Sequence, residues 1–590
     1  MSNALDPRTW PADDLDSLLA ATSSLRGEPD SGRFSTACVA GSTGPLATYA
    51  GRKALEAGGS AVDAALATAF TQIASAGGCW VSYAGIISMV HYEAATGEIV
   101  GLDGGFRTFA NETDPASIPR PTTPSGRTAL VPGFFAGAKA AHDRFGRLPW
   151  ADLLLPAIWI ADGVPLGASL ATMLAMKAAV ISRTPEGRAA LMPSGVLPAA
   201  GERFEQAALA RTLRIVAAEG VDHLYRGAWA QEFVDVVGRE GGKARLSDLA
   251  DYTPIWSAPF TGSAHGYDLH GIGLPNTGGA ALIEGVKVAA ELGVGDPQTD
   301  PEALHWLVQI ARTSHALTGL PPAQRVTDAH AVRIAKDLQQ TGQALLPSAF
   351  GPGSHSDFAA AVDADGNMVA LCHSINTAAY GNTGIFVQGI SVPDAASFQQ
   401  HVLAGVTPGD PLPNPMNPTI VTKGDEPVLA SSSIGAGLLE TTLTCVHRHL
   451  AHGVSVADAV RGVLVHGPDY GVPMSDSINN DIDDEGKGEG DKPQDLVTRL
   501  AGLVDEAAQK TDNPRDAYAV MMAGHAQSVT GDLSEDFIAA AAEAGTRVTA
   551  HAAEEAAFLR GYWVGISRDP ATGQLEAGRT GFVNAAVQGY

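Results

Sequence analysis

The chain has 590 residues, 45% of them hydrophobic, which is enough for one large core or a few smaller ones. Its 38 Lys and Arg residues stand against 64 Asp and Glu residues, giving a formal net charge of −26. A surface this acidic repels phosphate backbones, so we expect no nucleic-acid partner.

The chain opens with a polar lead, residues 1–33, in which no basic segment precedes an apolar run. This pattern does not match a secretory signal. No uncharged apolar stretch reaches about 18 residues, the length that a membrane-spanning helix needs. We therefore expect a cytoplasmic protein without membrane contact. Its cysteines lie far apart with no CxxC pair, and we interpret them as structural thiols rather than disulfide or metal ligands: Cys38, Cys79, Cys372 and Cys445.

Residues 35–78 predict a strand, a turn and two Ala-rich helices. The Gly58-Gly59 pair breaks the first helix, and either Ser60 or Asp63 starts the second. A β-hairpin around an Ala-Thr-Gly turn is predicted at 83–105.

Helices joined by short loops are expected over 128–250, and a strand, a Gly-rich turn and a helix over 267–292. Residues 561–581 predict a second hairpin with an Ala-Thr-Gly turn. Sheets flanked by Ala-rich helices imply a layered α/β architecture.

After residue 355 short strands dominate, and helices follow from about 437. The acidic stretch 475–493 contains few apolar residues, which predicts a disordered loop. Its Asp, Gly and Glu spacing does not fit an EF-hand, so we predict no metal site. The strands predicted here are 356–363, 367–375, 384–392, 418–423 and 427–433.

The stretch "SDFAAAVDADGNMVALCHSIN" predicts two antiparallel strands around a tight Asp-Gly turn. The start of the first strand then lies beside the end of the second. Ser356 should therefore come near Ser374 and Asn376. A serine that bonds its own backbone at a strand entry is the alternative interpretation of Ser356.

Several further blocks accompany this hairpin in a fixed order. Together they resemble the gamma-glutamyltransferase family of N-terminal-nucleophile hydrolases, whose members are made as one chain that cuts itself. The resemblance implies an α/β fold of the four-layer αββα sandwich type. The blocks are Gly-Gly-x-Ala-Val-Asp-Ala at 58–64, "ALVPGFFAG" at 129–137, "FGRLPWADLLLPAIWIADG" at 145–163, "LPNTGGAAL" at 274–282, "MNPTIV" at 416–421 and "SSSIGAGLLETTL" at 431–443.

The resemblance also implies functional roles. Self-cleavage between His355 and Ser356 would give a large subunit, 34–355 behind the lead, and a small subunit, 356–590. The two would stay associated, with a dimer of such heterodimers as a further possibility. Ser356 would be the nucleophile, without a cofactor. The other implied roles are a supporting hydroxyl at Ser374, an oxyanion hole at Gly435 and Ala436, and substrate contacts at Asn376 and Arg107, the last of which has a solvated surface arginine as its alternative.

The chain departs from the family where a glutamyl group would bind. Asn414 and Pro415 replace a Ser-Ser pair, with Asn414 kept as a substrate-binding candidate, and Ile390 and Pro393 replace a Gln and an Asp. A one-residue shift would bring in Asp394. Losing acceptors for an ammonium group weakens binding strongly, which disfavours glutathione as the substrate.

We therefore expect a self-processing hydrolase that acts on a small carboxylated substrate. It would break an amide C–N bond or a C–C bond beside a keto group, in an intracellular biosynthetic pathway such as alkylproline-type antibiotic formation. Two alternatives stay open: a conventional gamma-glutamyltransferase or glutathione hydrolase, and a non-catalytic protein that has kept the fold.

Overall fold

The computed structural model describes residues 3–23, 28–119, 123–344, 356–403, 405–435, 437–468, 526–551, 561–581 and 586–590. The predicted disordered loop at 475–493 and the residue His355 lie outside these ranges. Short 3-10 helices occur at Pro7–Thr9, Pro115–Ser117 and Gly126–Thr128.

The described strands, numbered in chain order, are β1 Asp30–Phe34, β2 Cys38–Gly41, β3 Ile86–Tyr92, β4 Ile99–Gly104, β5 Val164–Pro165, β6 Arg203–Phe204, β7 Ile255–Ser257, β8 Phe260–Ala264, β9 Tyr267–Gly271, β10 Ser356–Val362, β11 Met368–Ser374, β12 Phe386–Val387, β13 Ile390–Ser391, β14 Thr419–Lys423, β15 Glu426–Ile434, β16 Leu464–Pro468, β17 Gln527–Thr530, β18 Val548–His551, β19 Tyr562–Arg568, β20 Leu575–Arg579 and β21 Ala586–Gly589.

The described α-helices are α1 Ala12–Ser23, α2 Pro45–Glu56, α3 Ala61–Ser75, α4 Phe134–Phe145, α5 Trp150–Leu153, α6 Leu155–Ala161, α7 Ala168–Met176, α8 Ala178–Ile181, α9 Pro185–Leu191, α10 Ala207–Glu219, α11 Asp222–Tyr225, α12 Ala228–Arg239, α13 Leu246–Ala250, α14 Gly278–Leu292, α15 Pro301–Ala316, α16 Pro322–Arg325, α17 Asp328–Thr341, α18 Ala395–Phe398, α19 Gln400–Leu403, α20 Leu438–His452, α21 Val456–Ala459 and α22 Glu535–Glu543.

Two seven-stranded sheets form the centre of the molecule. The order of the first is β21-β2-β10-β11-β3-β4-β7, and that of the second is β1-β20-β19-β15-β14-β9-β8. Apolar side chains from both sheets meet in one buried cluster, including Phe358 and Ala360 from the first sheet and Ile420 and Ala430 from the second. The two sheets are therefore stacked face to face.

Helices cover the outer face of each sheet. In the first sheet α2, α3 and α4 pack against β2, β10 and β3, and in the second α14 and α20 pack against β9 and β15. Alternation along each strand sends one set of side chains to the other sheet and the next set to the helices. The resulting order is helix, sheet, sheet, helix, which confirms the predicted four-layer αββα sandwich.

The entry of α3 decides between the two predicted helix starts. Ser60 is the N-cap, and its hydroxyl accepts a hydrogen bond from the Asp63 N–H at 3.1 Å. Asp63 returns the bond by accepting the Ser60 N–H at 2.9 Å, which completes a capping box. The same carboxylate accepts the N–H of Arg147 at 2.8 Å, so it also ties α3 to the loop after α4.

The prediction of one strand over 384–392 is wrong. The chain instead forms two short strands, β12 and β13, joined at Gln388 and Gly389. Both residues have positive φ, 47° and 85°, as a tight two-residue hairpin turn requires. The lead also contains structure that the sequence does not predict, because Leu5 and Trp10 are buried and α1 follows them.

Candidate active site

The centre of the site is the pairing of β10 with β11. Ser356, the first residue of β10, lies opposite Ser374, the last residue of β11. The Ser356 hydroxyl donates a hydrogen bond to the Ser374 hydroxyl across an Oγ–Oγ distance of 2.8 Å. Ser356 is only 6% exposed, so this polar pair is shielded from bulk water.

Asn376 completes the local arrangement, as the sequence predicts. Its N–H donates to the Ser374 Oγ at 2.9 Å. Its φ of 50° lies in the left-handed region, which Asn tolerates better than most residues, and turns the chain sharply after β11. Ser374 therefore accepts hydrogen bonds from both sides and fixes the position of the Ser356 hydroxyl.

A different set of polar groups lies behind the same strands, toward the helices. Asp357 is fully buried and accepts hydrogen bonds from Ser42 Oγ at 2.7 Å and Trp80 Nε1 at 3.0 Å. Ser42 in turn accepts the Phe358 N–H at 2.8 Å. Burial raises the pKa of Asp357 to about 7. Asp357 is not among the predicted site residues, although its acidic side chain directly follows the proposed nucleophile in the sequence.

His373 lies opposite Asp357 in the strand register. Its Nε2 is 2.8 Å from the Oε1 of Gln72, and burial lowers the pKa of its imidazole to about 3. The ring is therefore neutral near physiological pH. As Asp357 and His373 alternate with Ser356 and Ser374 along their strands, they occupy the face that is turned away from the two hydroxyls.

Asn414, a predicted substrate contact, belongs to a buried polar cluster between the sheets. Its Nδ2 is 3.5 Å from the Oδ1 of Asp103, and its Oδ1 accepts the Met416 N–H at 3.1 Å. Asn276 donates to the same Asp103 oxygen at 2.7 Å. Both ends of the Asn414 amide therefore have partners within the protein.

Arg107 lies in the strand-like segment that follows β4. Its Nη2 donates to the Thr253 carbonyl at 2.8 Å, and its guanidinium stacks over the Tyr252 ring at 5.1 Å. The side chain is partly buried, while the bond from its guanidinium to Thr253 is exposed to solvent. A stacked guanidinium keeps further N–H donors for a carboxylate.

Gly435 follows directly on β15, a strand that stacks across β10 and β11 in the other sheet. The thiol of Cys372 on β11 donates to the Ser432 hydroxyl on β15 at 3.2 Å and links the two sheets. Gly435 has a φ of +88°, a conformation that glycine adopts without strain. The other predicted oxyanion donor, Ala436, lies outside the described residues.

Ile390 and Asp394, at or beside the positions that the resemblance assigns to glutamyl binding, are both buried. Ile390 is 2% exposed and packs in the core between the first sheet and its helices. Asp394 is 1% exposed, accepts the Thr377 hydroxyl at 2.6 Å and accepts the Asn382 N–H at 3.0 Å. Burial raises the pKa of Asp394. Its carboxylate is thus held by the loop that follows β11.

All four cysteines are free and buried. Across the ranges that the structure describes, no cluster of three His, Cys, Asp or Glu side chains could hold a metal ion. In the same ranges no helix has the length and apolar character to cross a membrane.

A four-layer αββα sandwich with a hydroxyl at the start of a central strand defines the class of N-terminal-nucleophile hydrolases. A solved structure shares the four-layer fold. Cephalosporin acylase from Bacillus halodurans superposes with a TM-score of 0.74 at 22% identity, covering 95% of this chain and 97% of that chain.

Residues 47–485 match the gamma-glutamyltranspeptidase family model, and the chain belongs to this family. It is 25% identical over 463 residues to the acylase ACY 1 proenzyme of Pseudomonas sp. (strain SE83), covering 71% of this chain and 81% of that protein. It is 24% identical over 471 residues to the glutathione hydrolase proenzyme of Escherichia coli (strain K12), covering 71% of this chain and 79% of that protein. The resemblance is confirmed, and the protein is an enzyme of the hydrolase and acyltransferase class.

Proposed function

We propose that Ser356 is the nucleophile of a self-processing hydrolase. The observation that carries this proposal is the 2.8 Å bond between the hydroxyls of Ser356 and Ser374 at the start of β10. A serine hydroxyl is a weak nucleophile at its free pKa and needs a base. After cleavage the α-amino group of Ser356 would supply that base on the same residue, since such groups titrate at about 7.7–8.0.

The cleavage step is an acyl shift. The Ser356 oxygen attacks the carbonyl carbon of His355, the C–N bond breaks, and the nitrogen takes up the hydroxyl proton. Water then hydrolyses the ester between His355 and Ser356, which leaves a carboxylate on His355 and restores the Ser356 hydroxyl beside the α-amine freed by the shift. The proenzyme names of the acylase and glutathione hydrolase relatives support such a step.

The large and small subunits should remain associated after cleavage. β10 and β11 belong to the small subunit, yet β10 pairs with β2 and β11 with β3 from the large subunit. A sheet that alternates between subunits in this way cannot separate without exposing unpaired backbone groups. Further assembly into a dimer of heterodimers stays part of the proposal.

For the substrate, we propose a small carboxylated acyl group without the α-ammonium of a glutamyl residue. Ile390 offers no acceptor to an ammonium ion, and the carboxylate of Asp394 is already occupied by Thr377 and Asn382. Arg107 is the proposed carboxylate partner, and Gly435 with Ala436 the proposed oxyanion donors. The bond broken would be an amide C–N bond or a C–C bond beside a keto group, in an intracellular pathway such as alkylproline-type antibiotic formation.

The first experiment is denaturing electrophoresis with N-terminal sequencing of the purified chain. We expect two fragments, 1–355 and 356–590, the second beginning Ser-Asp-Phe. Ser356→Ala should stay intact and inactive, and Ser356→Thr, which restores a hydroxyl, should be cleaved. An intact wild-type chain with full activity would overturn the proposal.

The second experiment addresses the substrate and the conventional alternative. Release of nitroaniline should be compared between γ-glutamyl and glutaryl p-nitroanilides, which differ only by the α-amino group. We expect glutaryl turnover to exceed γ-glutamyl turnover. Faster turnover of the γ-glutamyl compound, abolished in Ser356→Ala, would favour a conventional gamma-glutamyltransferase.

A further inference from the structure

Asp357 follows the proposed nucleophile directly and has no role in the steps above. It is fully buried, and its two carboxylate oxygens accept hydrogen bonds from Ser42 and Trp80. Both donors are neutral. Buried carboxylates in proteins are normally paired with a positive group, because neutral donors repay only part of the cost of removing the charge from water.

The remaining neighbours add no positive charge. Thr43 lies beside the carboxylate and is uncharged. His373 faces it from β11, and its buried imidazole, with its pKa lowered to about 3, is neutral. Gln72 on α3 is a neutral amide that hydrogen-bonds to His373 and to the carbonyls of Phe358 and Thr43. Among the described residues, the side chains that act on the Asp357 carboxyl are Ser42, Thr43 and Trp80, and none of them is cationic.

Cleavage before Ser356 would create a positive charge one residue away. We propose that Asp357 is a positioning residue that raises the proton affinity of the Ser356 α-amino group in the cleaved enzyme. This inference rests on the proposed function, since that amino group exists only after cleavage. The new ammonium and the carboxylate belong to adjacent buried residues, where charges are screened less than in water, so each stabilises the other.

The protonation state of the Ser356 α-amine sets how activity depends on pH. The α-amine accepts the hydroxyl proton only in its neutral form, so activity rises as pH increases through its pKa. A negative Asp357 favours the ammonium form and moves that rise to higher pH. Removing the charge should therefore shift the acidic limb of the pH profile to lower pH, by about one unit.

A purely structural role makes a different prediction. Ser42 joins the Asp357 carboxylate to the Phe358 N–H, so loss of Asp357 also loosens the entry of β10. A looser entry of β10 lowers kcat/KM at every pH and leaves the acidic limb of the pH profile at the same pH. Gln72→Met provides the matched control, because it removes hydrogen bonds to the Phe358 and Thr43 carbonyls at the same strand entry and keeps the Ser42 and Trp80 donors of the Asp357 carboxylate.

The test compares wild type, Asp357→Asn and Gln72→Met in their cleaved forms. The α-amine is titrated by NMR after reductive methylation with 13C-formaldehyde, which needs no substrate, and kcat/KM is measured against pH with glutaryl p-nitroanilide. We expect both curves to shift down by about one pH unit in Asp357→Asn and to stay in place in Gln72→Met. An unshifted amine in Asp357→Asn, or an equal shift in Gln72→Met, would overturn the inference.

Trp80→Phe covers the case in which Asp357→Asn does not fold. It removes one donor to the carboxylate, makes the anion less stable and should shift the amine titration down by about half a unit. No shift in this variant would likewise contradict the inference. An uncleaved wild-type chain would overturn the proposed function itself, so the two failures are told apart by electrophoresis alone.

Discussion

Asn276 donates a hydrogen bond to the buried carboxylate of Asp103 at 2.7 Å in the space between the two sheets. Asp103 is only 2% exposed and also accepts the Gly105 N–H at 3.1 Å. Ser88, which is paired with Asp103 in the sheet register, donates to the other end of the Asn276 amide at 3.2 Å. This cluster joins β4 to the loop that precedes α14 and, through Asn414, to the loop that precedes β14.

The Asp103 carboxyl should make the protein less stable at neutral than at mildly acidic pH. Burial raises the pKa of Asp103 to about 6, above its ordinary value of about 3.9 in the unfolded chain. The folded state therefore holds more protons between pH 4 and 6, and the stability contributed by Asp103 falls as pH rises through this window. The shift corresponds to about 2–3 kcal/mol.

Asp103→Asn isolates this effect, because it removes the titrating group and keeps the side-chain size. Urea unfolding should be measured for both proteins at pH 4.5 and pH 7. We expect the free energy of unfolding of wild type, relative to the variant, to drop between the two conditions. A constant difference would show that Asp103 does not titrate in this range.

Ser374→Ala should impair the site without unfolding it. The substitution removes the acceptor for the Ser356 hydroxyl and for the Asn376 N–H, so the nucleophile loses its fixed direction. We expect slower self-cleavage and a fall in kcat/KM of roughly 10- to 100-fold, as imperfect positioning typically costs. Ser374→Thr keeps a hydroxyl and is the control. Equal rates in wild type and Ser374→Ala would contradict the supporting role.

The pairing of Ser356 with Ser374 was predictable because an Asp-Gly turn of known length fixes the register of a hairpin. The cluster around Asp103 was not predictable, because it joins segments more than 170 positions apart in the chain. Asp357 was missed for a further reason. Alternation predicts a polar residue on the solvent side of a strand, whereas here helices cover that side and bury it.

The hairpin at 384–392 was also not predictable from the sequence, here for a local reason. Its apolar residues suit a single strand, and the turn depends on a positive φ at Gln388, a residue type that does not favour this conformation. The His223 ring, whose Nε2 is 2.9 Å from the Gln388 side-chain oxygen, and Glu232, which accepts from its amide nitrogen at 3.0 Å, hold the turn in place. These contacts exist only after the chain has folded.

The four cysteines should be unreactive in the native protein. All are free and buried, and burial raises the pKa of Cys372 and Cys445 to about 12 and those of Cys38 and Cys79 still further. The thiolate, which is the reactive form, is therefore scarce at neutral pH. Titration with a chromogenic disulfide reagent should detect no fast thiol in buffer and four in denaturant. Fewer than four in denaturant, restored by a reductant, would reveal a disulfide.

Substitution of Glu284 on α14, in the outer helical layer of the second sheet, should strongly destabilise the protein. Its carboxylate accepts Arg325 Nε at 3.0 Å, Ser314 Oγ at 2.7 Å and His330 Nε2 at 2.5 Å. Burial alone would raise the pKa of Glu284, but the hydrogen bond from His330 and the charge of Arg325 hold it below its ordinary value. The carboxylate thus contributes stability above its unfolded pKa, and this contribution is lost as pH falls through the folded value.

Glu284→Gln leaves the Arg325 guanidinium, which is 1% exposed, without its counter-charge. Removing one partner of a buried ion pair typically costs about 3–5 kcal/mol. We expect the free energy of unfolding at pH 7 to fall by this amount, as measured with urea. Replacing the exposed pair partner Asp222 by Asn is the control, and it should change stability by less than about 1 kcal/mol because its bond to Arg226 is open to solvent. Similar losses for the two variants would mean that burial does not set the strength of these pairs.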